Sequence, residues 1–333
     1  MAESLLEIRG LKTHFRTDDG MVRAVDGVDL TIDRGETIGV VGESGCGKTV
    51  TAMTVLKLIQ MPPGEIVAGS ILWQGRDLVP LGPDEMRPLR SKEIAIIFQE
   101  PMTSLNPVYT VGAQIAETLR LHEGLNRREA MDRAVEMLRL VNIPTPERRV
   151  RDYPHQFSGG MRQRVMIAIA LACEPKLIIA DEPTTALDVT IQAQILELMK
   201  SLTRRLGVAL VIITHNLGVV ARYANRVNVM YAGRVVESGL AGDIYHHPQH
   251  PYTMALLRSV PRLDRPRQAR LDPVEGQPPD LTRLDAGCAF RPRCRFALDA
   301  CAEARPALTA AVVPGHMSAC FRAEDLAILG EAA

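Results

Sequence analysis

The apolar residues near the start of the chain alternate with polar residues, and this pattern predicts extended strands. Between residues 5 and 33 hydrophobic side chains recur at about every second position, and a turn signal at Thr17 to Gly20 interrupts them. A continuous apolar run from Thr37 to Val41 predicts a buried strand, and residues 51–59 have helical spacing. The chain therefore begins with an antiparallel layer, followed by a strand and a helix.

Three later apolar runs predict buried strands that end in polar side chains. The runs lead to Gln99, to the adjacent carboxylates Asp181 and Glu182, and to His215. Ligands of open α/β sheets bind at the carboxyl ends of the strands. We therefore expect these polar groups to face one ligand, although a histidine in such a place is more often a capping residue than a catalytic one.

Helical spacing appears between and after these strands. Two helices are predicted from Val111 to Val141, with a break at Leu125 and Asn126, and together they form a helical insertion in an α/β domain. Another helix is predicted to begin after Ser158. Its opening residues, Ser158, Gly159 and Gly160, offer unobstructed backbone N–H groups at the positive end of a helix, where a phosphate can dock.

Residues 42–49 match the pattern G-x-x-x-x-G-K-[ST], and they lie between the predicted strand and helix as that pattern requires. The glycines allow the backbone to approach a phosphate closely, Lys48 can reach the terminal phosphates, and the Thr49 hydroxyl can hold Mg²⁺. The predicted nucleotide-binding residues are Gly42, Glu43, Ser44, Gly45, Cys46, Gly47, Lys48 and Thr49. In the same site Asp181 is expected to hold Mg²⁺ through water, and Glu182 to orient the attacking water.

Composition excludes several classes of function. The chain has 333 residues with a formal net charge of zero, which does not indicate nucleic-acid binding. The first residues carry acidic groups where a signal peptide has basic ones, so export is not expected. The longest apolar run, 165–173, is about half of the ~20 residues that a membrane-spanning helix needs.

Four of the six cysteines lie near the end of the chain, at Cys288, Cys294, Cys301 and Cys320. Disulfides are disfavoured in a chain that is not exported. Four thiolates suit zinc, but the C-x₂₋₄-C pairs of zinc sites are missing, so spacing leaves zinc and an iron–sulfur cluster equally open. His316 could replace one ligand, although its position suggests an exposed loop residue.

Together, these motifs resemble those of the ATP-binding cassette (ABC) ATPases over residues 5 to about 240. The resemblance implies an α/β fold with a RecA-like core, an antiparallel β layer and a helical subdomain at about 101–165, followed by a linker and a cysteine-containing region over 241–333. It identifies 42–49 as the Walker A loop and 177–182 as the Walker B strand. The remaining implied roles are adenine stacking by Phe15, the Q-loop glutamine Gln99, the signature at 157–161, the D-loop at 186–188 and the switch histidine His215. Met161 stands where the usual signature has glutamine, so no polar role is assigned to it.

The stretches 99–107, 153–164 and 250–253, with the cysteine segment, resemble the dipeptide and oligopeptide importer branch. That resemblance implies ATP and Mg²⁺ as cofactors and a 4Fe-4S cluster on the four cysteines, with Zn²⁺ as the alternative. The implied partners are a second ABC ATPase, more often a paralogue than a second copy, two transmembrane permeases and, indirectly, an extracytoplasmic binding protein. The implied location is peripheral, at the cytoplasmic face of the inner membrane.

Two other readings compete with a transport ATPase. Soluble ABC ATPases that act on ribosomes carry two cassettes in a chain, and those that act on DNA carry a long coiled coil, but this sequence has neither. The cysteines alone would suggest a scaffold for cluster assembly. Against the scaffold stands the segment Ser104 to Pro107, directly after Gln99, where importers couple to their permeases.

Overall fold

The structure, a computed structural model, describes residues 4–185, 187–259, 274–311 and 313–325. The strands are β1 (Ser4–Thr17), β2 (Gly20–Asp33), β3 (Thr37–Val41), β4 (Gly64–Trp73), β5 (Arg76–Asp77), β6 (Ile94–Ile97), β7 (Leu177–Asp181), β8 (Ala209–Thr214), β9 (Arg226–Tyr231), β10 (Arg234–Leu240), β11 (Thr309–Ala310) and β12 (Met317–Ser318). The helices are α1 (Lys48–Val55), α2 (Pro83–Met86), α3 (Pro101–Ser104), α4 (Val111–Glu123), α5 (Arg127–Leu140), α6 (Pro146–Arg149), α7 (Gly159–Leu171), α8 (Val189–Leu206), α9 (Leu217–Tyr223), α10 (Ala241–His246), α11 (Pro251–Ser259) and α12 (Ala300–Glu303). Part of the predicted linker, 260–273, and Ala186 of the predicted D-loop lie outside the described residues.

The chain folds into two compact units. The first unit contains Asp33–Glu36 and Pro80–Ile213, and the second contains Ser4–Ile32, Thr37–Val79 and the described residues from Thr214 onward. Residues from distant parts of the sequence therefore share one unit.

Parallel strands and helices build the first unit. The strand β7 pairs in parallel with β6 and with β8, and its five residues are all buried. The two helices predicted between Val111 and Val141 are present as α4 and α5. Thr110 and Asn126 cap their N-termini through side-chain oxygens, which explains the break that the sequence showed at Asn126.

The second unit contains the predicted antiparallel layer. Its four-stranded sheet has the order β2-β1-β4-β5, and β1 pairs antiparallel with β4. The strand β4 has ten residues and also pairs antiparallel with the short strand β5. Helix α1 begins at Lys48 rather than at residue 51, since the phosphate-loop sequence leads directly into the first helical turn.

A second group of strands lies in the same unit. The strand β3 pairs in parallel with β9, β9 pairs antiparallel with β10, and β10 pairs antiparallel with β12. Buried side chains from β3 and β9 share a hydrophobic core with Tyr252 of α11 and with Phe290. The rings of Tyr231, Tyr252 and Phe290 lie 4.6 to 5.4 Å apart between centroids. Residues near the end of the chain thus pack on the same core as the strand that precedes the phosphate loop.

The expectation that His316 is an exposed loop residue is wrong. Its side chain is completely buried, and Nε2 lies 2.7 Å from Oε1 of Glu237, which is also completely buried. The same carboxylate oxygen accepts a hydrogen bond from the backbone N–H of Gln249. Burial follows from the pairing of β12 with β10, which brings the residue before β12 against a carboxylate that local sequence cannot reveal.

Within the part of the chain that the structure describes, no helix combines the length and the apolar character needed to cross a membrane.

The residues packed around Gly39 in β3 leave no room for a side chain at this position. A Cβ atom at this position would lie 1.9 Å from Cγ1 of the buried Val220 on α9. We expect Gly39→Ala to lower the free energy of unfolding in urea by about 1–3 kcal/mol, because the core must be displaced. The matched control is Gly242→Ala on α10, where a Cβ would meet nothing within 4 Å. Equal stability of the two variants would contradict the packing argument.

Candidate functional site

The loop at 42–49 has a backbone shape that only glycine adopts easily. Gly42, Gly45 and Gly47 have φ angles of 155°, 80° and 103°. A Cβ at Gly42 would lie 2.2 Å from the carbonyl oxygen of Met230, and one at Gly47 would lie 2.3 Å from that of Ala24. Glycine is therefore required here both by conformation and by the closeness of neighbouring backbone.

Lys48 is buried in the loop although it carries a charge. Its side chain is placed by the first turn of α1, and its Nζ donates to the carbonyl oxygens of Gly42 at 2.7 Å and Glu43 at 2.9 Å. The thiol of Cys46 lies 3.7 Å from Nζ, and burial raises the pKa of that thiol. The neutral thiol therefore acts as a small apolar side chain that fills space beside Lys48. Ser44, Gly45 and Thr49 are exposed at the outer side of the loop.

Glu43 is hydrogen-bonded to two residues far from the loop in the sequence. Its backbone N–H donates to the hydroxyl of Tyr252 at 2.8 Å. Its two carboxylate oxygens accept from Nη1 and Nη2 of Arg293 at 2.6 and 2.9 Å. Sequence reasoning missed Tyr252 and Arg293, which lie more than 200 positions away. The only signal was an acidic residue inside a loop that is expected to bind phosphate.

The Walker B strand places its carboxylates as the sequence indicated. Asp181 is buried as the last residue of β7, and Glu182 follows directly. Oε2 of Glu182 accepts hydrogen bonds from Nε2 of Gln99 at 3.3 Å and from the hydroxyl of Thr185 at 2.8 Å. The structure therefore brings Gln99 and Glu182 together, and it adds Thr185, which the motif comparison did not name.

The backbone at Glu182 is strained. Its φ angle is 45°, a value that non-glycine residues seldom adopt, and its N–H donates to the carbonyl oxygen of Ile213 on β8. The bond to β8 fixes this conformation. The carboxylate of Glu182 is thus held beside a glutamine amide and a threonine hydroxyl by a backbone conformation that costs energy.

Ser158 caps helix α7 and leaves the helix start open. Its hydroxyl accepts from the N–H of Met161 at 3.4 Å, while Ser158 and Gly159 are exposed. A Cβ at Gly160 would lie 2.7 Å from the side chain of Ile191, so glycine is needed for contact with α8. Met161 is half-buried.

The remaining predicted residues have mixed outcomes. Phe15 is half-buried on β1 opposite Gly64 of β4, where a Cβ would lie 2.9 Å from its ring, so the ring packs across the sheet. His215 is exposed directly after β8. Asp188 of the predicted D-loop caps α8 by accepting from the N–H groups of Thr190 and Ile191. Adenine stacking by Phe15 and a switch role for His215 stay predictions.

Backbone N–H groups lie close to the sulfurs of the four C-terminal cysteines, as they also do at Cys46. Each sulfur accepts a backbone N–H: Cys288 from residues 290 and 291, Cys294 from residue 296, Cys301 from residue 298 and Cys320 from residue 322. Cys173 instead donates to the carbonyl of Thr118. N–H···S bonds of this kind surround the thiolates of metal clusters.

Burial disfavours ionisation of these thiols. It raises the pKa of Cys288 and Cys294, and it raises the pKa of Cys320 to about 11, with further increases from the neighbouring cysteines. The sulfurs are therefore close enough to influence one another. Across 4–185, 187–259, 274–311 and 313–325, however, no three His, Cys, Asp or Glu side chains adopt a metal-binding arrangement.

Three large apolar side chains that follow Gln99 in the sequence are exposed in the first unit. The side chains of Met102, Val108 and Tyr109 are 63%, 72% and 57% exposed. Clusters of large exposed apolar side chains mark interaction surfaces more often than chance exposure does. We call Met102, Val108 and Tyr109 the apolar patch.

Two protein families match successive parts of the chain. The family described as "ABC transporter" matches residues 25–185, and "Oligopeptide/dipeptide transporter, C-terminal region" matches residues 236–301. The oligopeptide transport ATP-binding protein OppD of Bacillus subtilis is 54% identical over 91% of this chain and 84% of its own length. The dipeptide transport ATP-binding protein DppD of the same organism is 48% identical over 99% of both chains.

A solved structure supports the fold as well. The dimeric ATP-binding cassette MJ0796, in a post-hydrolysis state bound to ADP and Pi, aligns with a TM-score of 0.63 and 27% sequence identity. The alignment covers 71% of this chain and 98% of that one.

Proposed function

The chain belongs to the ATP-binding proteins of ABC transporters, and we propose that it is the ATP-hydrolysing subunit of an importer for dipeptides or oligopeptides. The observation that carries the proposal is the phosphate loop, whose three left-handed glycines and buried lysine suit a nucleotide triphosphate. Similarity to peptide-transport ATP-binding proteins over nearly the whole chain supports peptides as the cargo.

Binding of ATP rests on the residues at 42–49. The backbone N–H groups of the loop and the start of α1 surround the phosphates, while Lys48 turns from the loop carbonyls to the terminal phosphates. The donors Thr49, Gln99 and Asp181 are hard oxygen ligands, so their chemistry fits Mg²⁺. That ion, when bound, neutralises phosphate charge. The ring of Phe15 is proposed to stack on adenine.

Hydrolysis is assigned to Glu182. Its carboxylate orients a water molecule and takes one of its protons as the water oxygen bonds to the γ-phosphorus. The bond from that phosphorus to the bridging oxygen breaks, which gives ADP and phosphate. Gln99 and Thr185 hold the carboxylate in place through Oε2, and His215 is proposed to contact the γ-phosphate.

A complete site is proposed to need two chains. One chain supplies a single phosphate loop and a single Ser158-Gly159-Gly160 helix start, and the exposed N–H groups of that start suit the phosphate of another subunit. The dimeric state of the related cassette MJ0796 supports this arrangement. We favour a paralogous ATPase as the partner over a second copy.

The apolar patch is proposed to contact two membrane permeases. It follows Gln99 by only a few residues, so a change at Glu182 can reach it through the Gln99 hydrogen bond. The chain is then a peripheral protein at the cytoplasmic face of the inner membrane, and an extracytoplasmic binding protein delivers the peptide. We assign residues 1–240 to the ATPase domain, with its helical subdomain at about 101–165, and 241–333 to the linker and the cysteine-containing region.

We further propose that the four C-terminal cysteines hold a 4Fe-4S cluster, with Zn²⁺ as the alternative. One buried and three half-buried cysteines whose sulfurs receive backbone N–H donors fit a cluster of thiolates, because those donors offset the negative charge. The cluster would take the place of the thiol protons, and its ligands would be the sulfurs of Cys288, Cys294, Cys301 and Cys320. The cluster would supply a rigid cross-link among residues 288–320.

Glu182→Gln tests the assignment of the chemical step. We expect ATP hydrolysis to fall about 10³-fold while the Kd for ATP stays within about threefold, because the water loses its base but the phosphate grip remains. Lys48→Ala is the matched variant, and it should weaken ATP binding about tenfold or more through loss of a charged donor. Phosphate release and calorimetry measure the two quantities. Full-rate turnover by Glu182→Gln would remove Glu182 from the mechanism.

Co-expression with tagged permeases tests the membrane role. The chain should appear in the membrane fraction only when the permeases are present. The double variant Val108→Asp, Tyr109→Asp should lose this recruitment, because charges would be buried at the contact. Leu121→Asp, at an equally exposed apolar position of the first unit, should not. Membrane binding without permeases, or recovery with ribosomes, would contradict the proposal.

Metal analysis of anaerobically purified protein tests the cluster. We expect about four iron atoms and four sulfides per chain, with broad visible absorption, and loss of both in Cys301→Ser. Cys173→Ser is the control, since that thiol lies in the first unit and bonds to a carbonyl. One zinc ion per chain with no iron would favour the alternative metal.

A further inference from the structure

Arg293 is almost fully enclosed, yet it belongs to the C-terminal region rather than to the nucleotide-binding motifs. Its side chain is 4% exposed, and the carboxylate that it contacts belongs to Glu43 in the phosphate loop, 24% exposed. The two residues form a bidentate pair with bonds of 2.6 and 2.9 Å. A bidentate pair of this kind fixes both the position and the orientation of the two side chains.

All the hydrogen-bond donors of this guanidinium have partners. Besides the bonds to Glu43, Nη1 donates to the hydroxyl of Tyr231 at 3.3 Å, Nη2 to the carbonyl of Val274 at 3.1 Å, and Nε to that of Glu275 at 2.8 Å. A guanidinium has five N–H donors, so none is left over. Tyr231, Val274 and Glu275 therefore fix the position of the guanidinium. The guanidinium in turn holds the carboxylate of Glu43 in place.

A carboxylate in a phosphate loop creates an electrostatic problem. Glu43 follows Gly42 in the loop, and the ammonium group of Lys48 donates to the backbone carbonyl oxygens of both residues. A free carboxylate at this place would repel the phosphates and could compete with them for the ammonium of Lys48. Arg293 cancels the charge and turns the carboxylate toward the C-terminal residues.

We propose that Arg293 is a positioning residue of the nucleotide site, which keeps the Glu43 carboxylate neutralised and directed away from bound nucleotide phosphates. The inference rests on the proposed function, since it concerns the same phosphate loop. It makes the cysteine-containing region, through the residue just before Cys294, a determinant of nucleotide affinity.

Binding of ADP with Mg²⁺ to the full chain, measured by calorimetry, tests the inference, because ADP needs the phosphate loop but no hydrolysis. Arg293→Gln should weaken binding about tenfold at low salt and less at high salt, as expected for charge repulsion that salt screens. The double variant Arg293→Gln, Glu43→Gln should return to within about threefold of the unsubstituted protein, because the repelling charge is gone. A merely structural role of Arg293 would not be rescued in this way.

Two further variants guard against failure to fold. Arg293→Lys keeps the charge with fewer hydrogen bonds and should weaken binding by only about threefold. Arg305→Gln is the matched control, because Arg305 also lies in the C-terminal region but pairs with Asp26 at 2.8 Å, and its affinity should not change. Unchanged affinity in both Arg293 variants, or a double variant as weak as Arg293→Gln, would overturn the inference alone. Absence of ADP binding by the unsubstituted chain would overturn the proposed function with it.

Discussion

The phosphate loop depends on close contact between backbone and backbone. At Gly42 and Gly47 the carbonyl oxygens of Met230 and Ala24 come so near that a methyl group cannot be placed between them. Met230 lies in β9, which pairs with β3, and Ala24 lies in β2 of the four-stranded sheet, so strands of two sheets in the second unit confine the path of the loop. The loop is therefore shaped by the exclusion of side chains, since glycine at these two positions leaves room for the neighbouring backbone.

The C-terminal residues extend this same arrangement. Phe290 packs with Tyr231 and Tyr252, and Tyr252 in turn accepts the N–H of Glu43. Hydrophobic packing and hydrogen bonding thus converge on one loop residue from segments that are far apart in sequence. Composition changes sharply after residue 240, but the buried core continues across that change. The region after 240 consequently contributes to the surroundings of the phosphate loop rather than forming a separate appendage.

Sequence reasoning worked where a feature is local. The strands, helices α4 and α5 and the loop at 42–49 follow from periodicity, caps and glycine spacing, and the structure has them with shifts of a few residues. Reasoning failed where partners are distant. The burial of His316 depends on Glu237, and the environment of Glu43 depends on Arg293, 250 positions away. The left-handed backbone of Glu182 was equally hidden, because it is imposed by a hydrogen bond to Ile213 rather than by residue type.

The cysteines combine two effects that oppose each other in the absence of metal. Burial raises the pKa of Cys288, Cys294 and Cys320, which favours the protonated thiol at these three positions. The backbone N–H groups aimed at the same sulfurs favour the negatively charged form instead. Burial is the larger of the two effects at Cys288, Cys294 and Cys320, so the thiols there are held in the neutral form. The metal centre proposed above would therefore have to displace these protons on binding, and its affinity would rise with pH.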